Sequence, residues 1–277
     1  MRCESAGAYP RQGLAVMSDL LINPLYSLAG FAVGILVGMT GVGGGSLMTP
    51  LLVLLFGFHP VTAVGTDLLY ASATKSVGTA VHGFGQTVDW KVVRRMALGS
   101  VPATILTLLT MHYVGSRFDG TDRLVTVALG VALIATAIAM FFRARLVRRY
   151  GPALDRLSDR RIARLTVLLG TILGVLVSLS SVGAGALGMT ALLVLYPRLP
   201  TNRLVGSDIA HAVPLTLIAG IGHWAMGSVD VALLLSLLVG SIPGIILGSL
   251  VSTRVSDRVL QPILAGTLAL VGGKLLF

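Results

Sequence analysis

Residues 41–45 read Gly-Val-Gly-Gly-Gly, and residues 181–185 repeat them as Ser-Val-Gly-Ala-Gly, 140 positions later. Further matches follow at an offset of 141, so one inserted residue keeps the two halves in register. A duplicated membrane domain with glycine interruptions at corresponding places is typical of transporters, and the interruptions mark the binding site. The matching segments are Val64-Gly65-Thr66-Asp67 with Val205-Gly206-Ser207-Asp208, His82 with His223, Thr87-Val88-Asp89 with Ser228-Val229-Asp230, and Gly99-Ser100-Val101-Pro102 with Gly240-Ser241-Ile242-Pro243.

The composition indicates a membrane protein. Of 277 residues, 55% are hydrophobic and only 12% are charged, and the mean hydropathy is +0.89. A soluble domain carries about 25% charged residues. Stretches such as 20–66, 165–197 and 209–229 contain no Asp, Glu, Lys or Arg, and a helix of roughly 20 residues crosses the hydrocarbon core. We therefore expect an all-α polytopic membrane protein embedded in the lipid bilayer.

The formal net charge of +10 does not indicate nucleic-acid binding. The basic residues lie mainly in short loops beside apolar spans, where the positive-inside tendency accounts for them. The single cysteine, Cys3, excludes a disulfide framework and a cysteine-based metal site. No Ser-His-Asp set, metal cluster or carboxylate pair stands out, so we expect neither an enzyme nor a cofactor.

Length arithmetic requires a break in each half. The 39 residues between Asp19 and His59 would form a helix of about 58 Å, nearly twice the hydrocarbon thickness. The glycine cluster at 41–45 is where that helix must break, and 181–185 plays the same part within 165–197. Each half is then a glycine-broken helix pair, or a re-entrant hairpin, followed by three transmembrane helices. The predicted helices are 21–40, 46–57, 62–82, 92–113 and 123–142, then 164–180, 186–196, 204–224, 231–252 and 258–276.

The chain divides into a polar N-terminal tail at 1–19, repeats at 20–142 and 165–277, and a linker at 143–164. The linker holds eight arginines and two aspartates, so we expect it in the cytoplasm. Equivalent loops of the two halves differ in basic residues, as expected if the second repeat is inserted upside down. An odd number of crossings per half, either five or three, produces such inverted-topology repeats.

Four stretches resemble the TauE/SafE family of membrane anion exporters, and the resemblance covers about residues 25–275. It implies a multi-pass permease of the bacterial cytoplasmic (inner) membrane that moves small sulfur-containing or carboxylated anions, such as sulfite, sulfonates or sulfoacetate. The stretches are Gly-Met-Thr-Gly-Val-Gly-Gly-Gly-Ser at 38–46, Val-Gly-Thr-Asp-Leu-Leu-Tyr at 64–70, Ala-Thr-Lys at 73–75 and Gly-Gln-Thr-Val-Asp-Trp at 85–90.

The glycine breaks are the first candidate anion site. Unpaired backbone at membrane depth is tolerated where it is buried in protein or lines a wet cavity. Glycines let an oxyanion approach the N–H groups and the positive end of a half-helix. The alternative is that small residues only allow close helix packing. The candidate residues in the two breaks are Gly43, Gly44, Gly45, Ser46, Gly183 and Gly185.

Lys75 is the one lysine or arginine well inside a predicted span. A basic side chain there costs several kcal/mol unless it is paired or hydrated. We expect Lys75 to hold the anion, with the hydroxyls of Thr66 and Ser207 as further candidate contacts. The alternatives are snorkelling of Lys75 or a structural ion pair with Asp67.

Asp67 and Asp208 follow Thr66 and Ser207, so the pairs could be helix N-caps. Proton coupling is the functional alternative for both aspartates. His82 and His223 end the same two helices, where they could relay protons near neutral pH or serve as plain polar caps.

These features predict a secondary transporter of small anions, with export favoured over uptake by the resemblance alone. An anion channel and an uptake permease for sulfate-like or thiosulfate-like anions are the alternatives. The expected partners are the anionic substrate and the lipid bilayer, with a homodimer as a candidate assembly. Without a GxxxxGK[ST] motif, the energy source would be an ion gradient or the membrane potential.

Overall fold

The computed structural model describes residues 22–40, 45–84, 88–115, 121–251 and 257–276. These residues form helices joined by short turns. The helices are α1 (Pro24–Thr40), α2 (Gly45–Leu54), α3 (Pro60–Phe84), α4 (Trp90–Gly115), α5 (Thr121–Leu154), α6 (Asp159–Ser180), α7 (Ala186–Leu195), α8 (Thr201–Ala225), α9 (Val231–Val251) and α10 (Asp257–Leu276).

The predicted helices agree with the observed ones to within a few residues, except at the basic linker. There α5 continues to Leu154 and α6 begins at Asp159, so the linker is helical apart from 155–158. Arginine has a high helix propensity, and nothing in the arginine-rich stretch stops the helix before Gly151 and Pro152. With 34 residues, α5 is about 51 Å long and extends well beyond a hydrocarbon core of about 30 Å.

Five described helices are long and apolar enough to cross a membrane, at 90–113, 123–154, 159–180, 201–225 and 231–248. The 25-residue α3 is not among them because it carries polar residues that the other helices bury, including Asp67 and Lys75. The chain is therefore a multi-pass, all-helical membrane protein.

The distribution of side chains is that of a protein in lipid. Large apolar side chains point outward, with Leu106 65% and Phe141 70% exposed. Asp67 and Lys75, by contrast, are only 0% and 3% exposed. Polar residues inside the helical bundle and apolar residues on its surface are expected where the surrounding solvent is hydrocarbon.

Helices of one half pack along helices of the other through equivalent glycines. α1 lies along α9, and α6 lies along α4. A Cβ on Gly34 of α1 would lie 2.6 Å from the carbonyl oxygen of Ser241 on α9. A Cβ on Gly174 of α6 would lie 2.6 Å from the carbonyl oxygen of Ser100 on α4. The two contacts are made by corresponding residues of the duplication, and both bring helix backbones together.

The centre of the bundle is formed by α3 and α8, the helices that carry the repeated aspartates. Gly220 near the end of α8 packs on Leu69, whereas Ile209 near its start packs on Gly78 further along α3. The two helices therefore run antiparallel. α5 packs on α10, the corresponding helix of the other half.

The break in the second half separates α6 from α7 and is built on positive backbone φ angles. Ser181 has φ 58°, Gly183 has φ 121° and Gly185 has φ 154°. Only glycine adopts such angles freely, which explains two of the glycines in the motif. The ten residues of α7 span about 15 Å, half the hydrocarbon thickness, so the predicted interruption within 165–197 is confirmed.

The far end of α7 returns toward the start of α6. Tyr196, which follows α7, has its hydroxyl 2.8 Å from Thr166 Oγ1 near the start of α6. In the next turn, Arg198 forms an ion pair with Asp155, which precedes α6. α6 and α7 thus form a helical hairpin with its tip at 181–185. In the first half, α2 is equally short, and residues 41–44 of the corresponding break lie outside the described residues.

Candidate functional site

The candidate site is a buried polar cluster between α3, α8 and the second glycine break. Its ionisable members are Asp67, Lys75 and Asp208, which are 0%, 3% and 2% exposed. Buried charges are rare in membrane spans because they are costly, and they generally mark a functional site. The cluster joins residues that lie more than 130 positions apart in the sequence.

Asp67 connects the two halves through its carboxylate. Its Oδ2 accepts hydrogen bonds from Thr49 Oγ1 of α2 and from Ser181 Oγ of the second break, the latter at 2.9 Å. Both donors are neutral hydroxyls, and hydrogen bonds to a carboxylate oxygen favour its charged form. Ser181 is a non-glycine residue with a left-handed backbone, so the break holds this hydroxyl in place at some conformational cost.

Lys75 reaches the second break rather than remaining within its own helix. Its Nζ donates a hydrogen bond of 2.7 Å to the backbone oxygen of Ala184. Asp208 and Asp67 both act on it electrostatically, with Asp208 the stronger of the two. Lys75 lies eight residues beyond Asp67, about 12 Å along α3, between the levels at which α3 contacts Gly220 and Ile209 of the antiparallel α8. The alternative of snorkelling is wrong for this side chain, because it is buried.

Asp208 has a different environment from Asp67, although the two occupy corresponding positions. No described side chain donates to it, although the Oδ1 atoms of both aspartates are alike in being buried without a hydrogen-bond partner. A Cβ on Gly188 of α7 would lie 2.5 Å from Asp208 Oδ1, so the absence of a side chain at Gly188 leaves room for the carboxyl group. The cations that act on Asp208 are Lys75 and Arg143.

The N-cap interpretation of Asp67 and Asp208 is wrong. α3 begins at Pro60 and α8 at Thr201, so both aspartates lie two turns inside their helices. The predicted starts at 62 and 204 already preceded both aspartates, so the interpretation rested on the residue types Thr-Asp and Ser-Asp alone. Asp89 and Asp230 are the capping residues instead, since their Oδ1 atoms accept N–H groups of the first turns of α4 and α9.

Thr66 and Ser207, predicted substrate contacts, each bind backbone of the opposite half. Thr66 Oγ1 accepts the N–H of Asp230 at 3.0 Å, and Ser207 Oγ accepts the N–H of Asp89 at 2.8 Å. The two bonds correspond to each other under the 141-residue offset. In this structure both hydroxyls hold the starts of α9 and α4, and contact with a substrate stays a prediction.

His223 is buried, and its Nε2 lies 2.9 Å from the carbonyl oxygen of Ser178. A carbonyl only accepts, so Nε2 carries the hydrogen, and the buried Nδ1 is without a partner. The side chain of His82, its counterpart, lies outside the described part of the structure. Proton relay by either histidine stays a prediction.

Comparison with known proteins places this chain in a family. The family model described as Sulfite exporter TauE/SafE matches residues 26–275. The chain belongs to the TauE/SafE family. The probable membrane transporter protein YjnA of Bacillus subtilis (strain 168) is 41% identical over 252 residues, which cover 90% of this chain and 98% of that protein. A probable membrane transporter protein of Methanocaldococcus jannaschii is 28% identical over 210 residues, covering 73% of this chain and 72% of that one. No solved structure gives a significant match.

In this TauE/SafE protein, the structure brings only part of the predicted glycine site into view. Gly183 and Gly185 form the second break, and the backbone of Gly45 begins α2. Gly43 and Gly44 lie outside the described residues, as does the side chain of Ser46. Anion binding at either break stays a prediction.

Sequence reasoning missed several side chains that contact the cluster or extend it. His211 lies one turn beyond Asp208, is fully buried, and has its Nε2 2.8 Å from Ser100 Oγ on α4. The same offset of 141 pairs these residues with Tyr70 and Ser241, both of them buried. His211 and Tyr70 differ in type, so a search for identical residues did not reveal the correspondence. Thr49 and Ser181 were missed because serine and threonine are common in any membrane helix. Among the described residues there is no group of three His, Cys, Asp or Glu side chains placed to hold a metal ion.

Proposed function

We propose that this TauE/SafE protein is a secondary transporter of small sulfur-containing or carboxylated organic anions, such as sulfite, sulfonates or sulfoacetate. It works in the bacterial cytoplasmic membrane, and it exports its substrate. The family description names a sulfite exporter, and the relatives from Bacillus subtilis and Methanocaldococcus jannaschii are named probable membrane transporter proteins. These names support transport in general, whereas the anion class rests on the buried cation.

The observation that carries the proposal is the position of Lys75. It is the buried cation at the centre of the bundle, and its Nζ donates to Ala184 O at the tip of the hairpin of α6 and α7. An oxyanion that enters at the tip can take the place of this carbonyl as the acceptor. A charge-assisted hydrogen bond to an anion is stronger than one to a neutral carbonyl, so the exchange is favourable.

The glycine breaks supply the rest of the proposed anion site. α7 begins at Ala186, directly after Gly185, so its first-turn N–H groups and positive dipole end lie toward the tip. We assign the corresponding role in the first half to Gly43, Gly44, Gly45 and Ser46, which precede or begin α2. Thr66 and Ser207 become contacts only in a conformation in which they release the starts of α9 and α4.

We infer that the two halves are inverted-topology repeats with re-entrant hairpins. Three observations support this. The corresponding helices α3 and α8 run antiparallel. A rotation that superposes one half on the other must therefore turn that half over relative to the membrane. Reciprocal contacts, such as Gly34 with Ser241 and Gly174 with Ser100, are those of a pseudo-two-fold axis. At about 15 Å, α2 and α7 are too short to cross. Alternating access then follows from movement of one repeat against the other.

The driving force is an ion gradient or the membrane potential. A singly charged anion that leaves a negative cytoplasm gains about 2.3 kcal/mol per 100 mV, so export without a coupled ion is energetically feasible. Proton coupling is the other route, and its candidate groups are Asp67, Asp208, His82 and His223.

Reconstituted protein tests this function directly. Proteoliposomes loaded with labelled sulfite, sulfoacetate or methanesulfonate should release or exchange the anion when they contain the wild-type protein. Lys75→Ala should slow the exchange by at least about tenfold, because the lost charged hydrogen bond is worth roughly 1.5–3 kcal/mol. Lys274→Ala removes the same charge from an exposed position on α10 and should exchange at the wild-type rate.

Three results would decide against the proposal. The first is that wild-type liposomes release no anion of the panel faster than empty ones, and the second is that Lys75→Ala exchanges at the wild-type rate. In planar bilayers, single-channel currents would show a channel rather than a carrier. Gel filtration of each variant before reconstitution separates loss of transport from loss of the folded protein.

A further inference from the structure

Asp67 and Asp208 correspond in the duplication, yet within the described part of the chain only Asp67 accepts hydrogen bonds from side chains. Two hydroxyls, of Thr49 and Ser181, donate to Asp67 Oδ2. Equivalent donors to Asp208 would have to come from the residues that correspond to Ser181 and Thr49. The residue that corresponds to Ser181 is Gly41, which has no side chain. On α7, Met189 has no hydroxyl, and Thr190 donates to Ala186 O within its own helix. The duplicated site is therefore asymmetric in its hydrogen bonding.

This asymmetry determines which carboxyl group holds a proton more readily. A buried carboxylate is stable when it accepts hydrogen bonds, and Asp67 accepts two. Asp208 is almost as deeply buried, and no described side chain donates to it, whereas the Oδ1 atoms of both aspartates are without a partner. The negative charge of an ionised Asp208 is stabilised mainly by the positive charge of Lys75. The Nζ atom of Lys75, however, already donates a hydrogen bond to Ala184 O. The two hydroxyl donors therefore make the neutral acid less favourable at Asp67 than at Asp208.

The charged groups that surround Asp208 come from few elements. α3 contributes Lys75 and, further away, Asp67, and α5 contributes Arg143, which is only half-buried. α4 contributes Asp89, whose carboxylate caps that helix, and Lys91, Arg94 and Arg95 in its first turns. α7 has no titratable residue, and α6 has Asp159, Arg160, Arg161 and Arg164 only near its start. On α8 itself, Arg203 lies before Asp208 and His211 lies one turn after it.

The charge balance of the cluster links this proton to the anion. With both aspartates ionised, the cluster of Asp67, Asp208 and Lys75 has a net charge of −1 and repels an anion. With Asp208 neutral, the net charge of the cluster is zero. The positive charge of Lys75 can then interact with a bound anion instead of with the Asp208 carboxylate. Because like charges in a poorly hydrated site are costly, occupancy by an anion requires a neutral Asp208.

We propose that Asp208 takes up a proton when the anion binds. The protein then carries the anion and this proton across the membrane together, so that one proton accompanies each anion. This rests on the anion transport proposed above. The proton adds to an oxygen of Asp208 from water on one side and returns to water on the other when the anion leaves. A singly charged anion then moves as a neutral pair with its proton. The direction of net transport is set by the sum of the anion and pH gradients, and the membrane potential has no direct effect.

Methanesulfonate is the appropriate probe, because its sulfonate stays ionised throughout the working pH range and carries no proton of its own. Exchange at equal pH on both sides tests the proposed function, and net uptake under an imposed pH gradient tests the coupling. An acid exterior should drive wild-type accumulation of about tenfold per pH unit for one proton per anion. A potential imposed with potassium and valinomycin should drive none.

Wild-type exchange should slow as the pH rises, because Asp208 must hold a proton for the anion to bind. Asp208→Asn, which is neutral at all pH values, should not slow in this way and should lose accumulation under the pH gradient. Asp155→Asn is the matched control, since it removes the same charge at the surface, and it should keep the wild-type pH response. Gly188→Ala, which crowds Oδ1, should weaken the accumulation without removing a charge.

The coupling is refuted if wild-type exchange proceeds but net uptake follows the potential and ignores the pH gradient. It is equally refuted if Asp208→Asn still accumulates methanesulfonate under that gradient. Absence of wild-type exchange for every anion in the panel is a different outcome, because it overturns the proposed function itself.

Discussion

Replacing Gly174 by alanine tests the close packing that positions the site. Gly174 lies on α6, where it faces the backbone of Ser100 on α4. A Cβ there would lie 2.6 Å from Ser100 O and 2.9 Å from Ala103 Cβ, whereas ordinary contact begins near 3.4 Å. The two helices would have to separate by about 0.8 Å at this level, because the oxygen belongs to helix backbone and cannot rotate away.

Overpacking of this kind costs about 1–3 kcal/mol. For a protein of this size, that corresponds to a thermal midpoint lower by on the order of 5 °C. Thermal unfolding of the purified protein in detergent, followed by tryptophan fluorescence, measures it. Gly34→Ala makes the corresponding contact in the other half, also at 2.6 Å from Ser241 O, and should have a similar effect.

Gly266→Ala is the control, because nothing lies within 4 Å of its added Cβ on α10. Alanine is favoured over glycine in a helix by about 1 kcal/mol, so this variant should be as stable as the wild type or more so. The packing argument fails if Gly174→Ala is as stable as Gly266→Ala. Since Ser100 Oγ also contacts His211, Gly174→Ala should in addition slow anion exchange.

Five further variants probe the hydrogen bonds in and beside the cluster. Ser181→Ala and Ser181→Gly both remove a hydrogen-bond donor to Asp67. Glycine adopts the left-handed backbone of this position without the steric cost that alanine has, so Ser181→Gly should be about 1 kcal/mol more stable than Ser181→Ala in thermal unfolding. Equal midpoints would contradict this. Ser207→Ala and Thr66→Val should each cost about 1 kcal/mol in unfolding experiments, and unequal losses would argue against equivalent roles. His223→Gln keeps a donor for Ser178 O and should retain the pH response of transport, whereas a proton relay would lose it.

Much of the fold could be predicted from the sequence, because the signals are local or periodic. Apolar length and glycine interruptions predicted all ten helices, including the break between α6 and α7. The errors arose where local signals were weak. The helical continuation of α5 into the basic linker was missed because the charged stretch was interpreted only by its charge. The capping role given to Asp67 and Asp208 rested on the residue types Thr-Asp and Ser-Asp alone, although the predicted helix starts at 62 and 204 already preceded both aspartates.

The candidate site was only partly predictable. Lys75 and the two aspartates stood out because charge is rare in a membrane span, and that rarity can be observed in a single sequence. Their partners could not be found in the same way, because a hydroxyl or a backbone carbonyl is unremarkable until the fold brings it close. Ser181 lies 114 positions from Asp67, and Ala184 lies 109 positions from Lys75.

The sequence by itself determined that this protein is a duplicated helical membrane protein, broken by glycine at corresponding places in each half. Composition, length and repeat spacing carry that information without reference to three-dimensional contacts. Only the tertiary structure decided that Lys75 reaches the second break, and that two hydroxyls donate to Asp67 whereas none of the described hydroxyls donates to Asp208. The physical reason is that Ser181 and Ala184 of the second half bind Asp67 and Lys75 of the first, so these environments exist only once the two repeats have packed together.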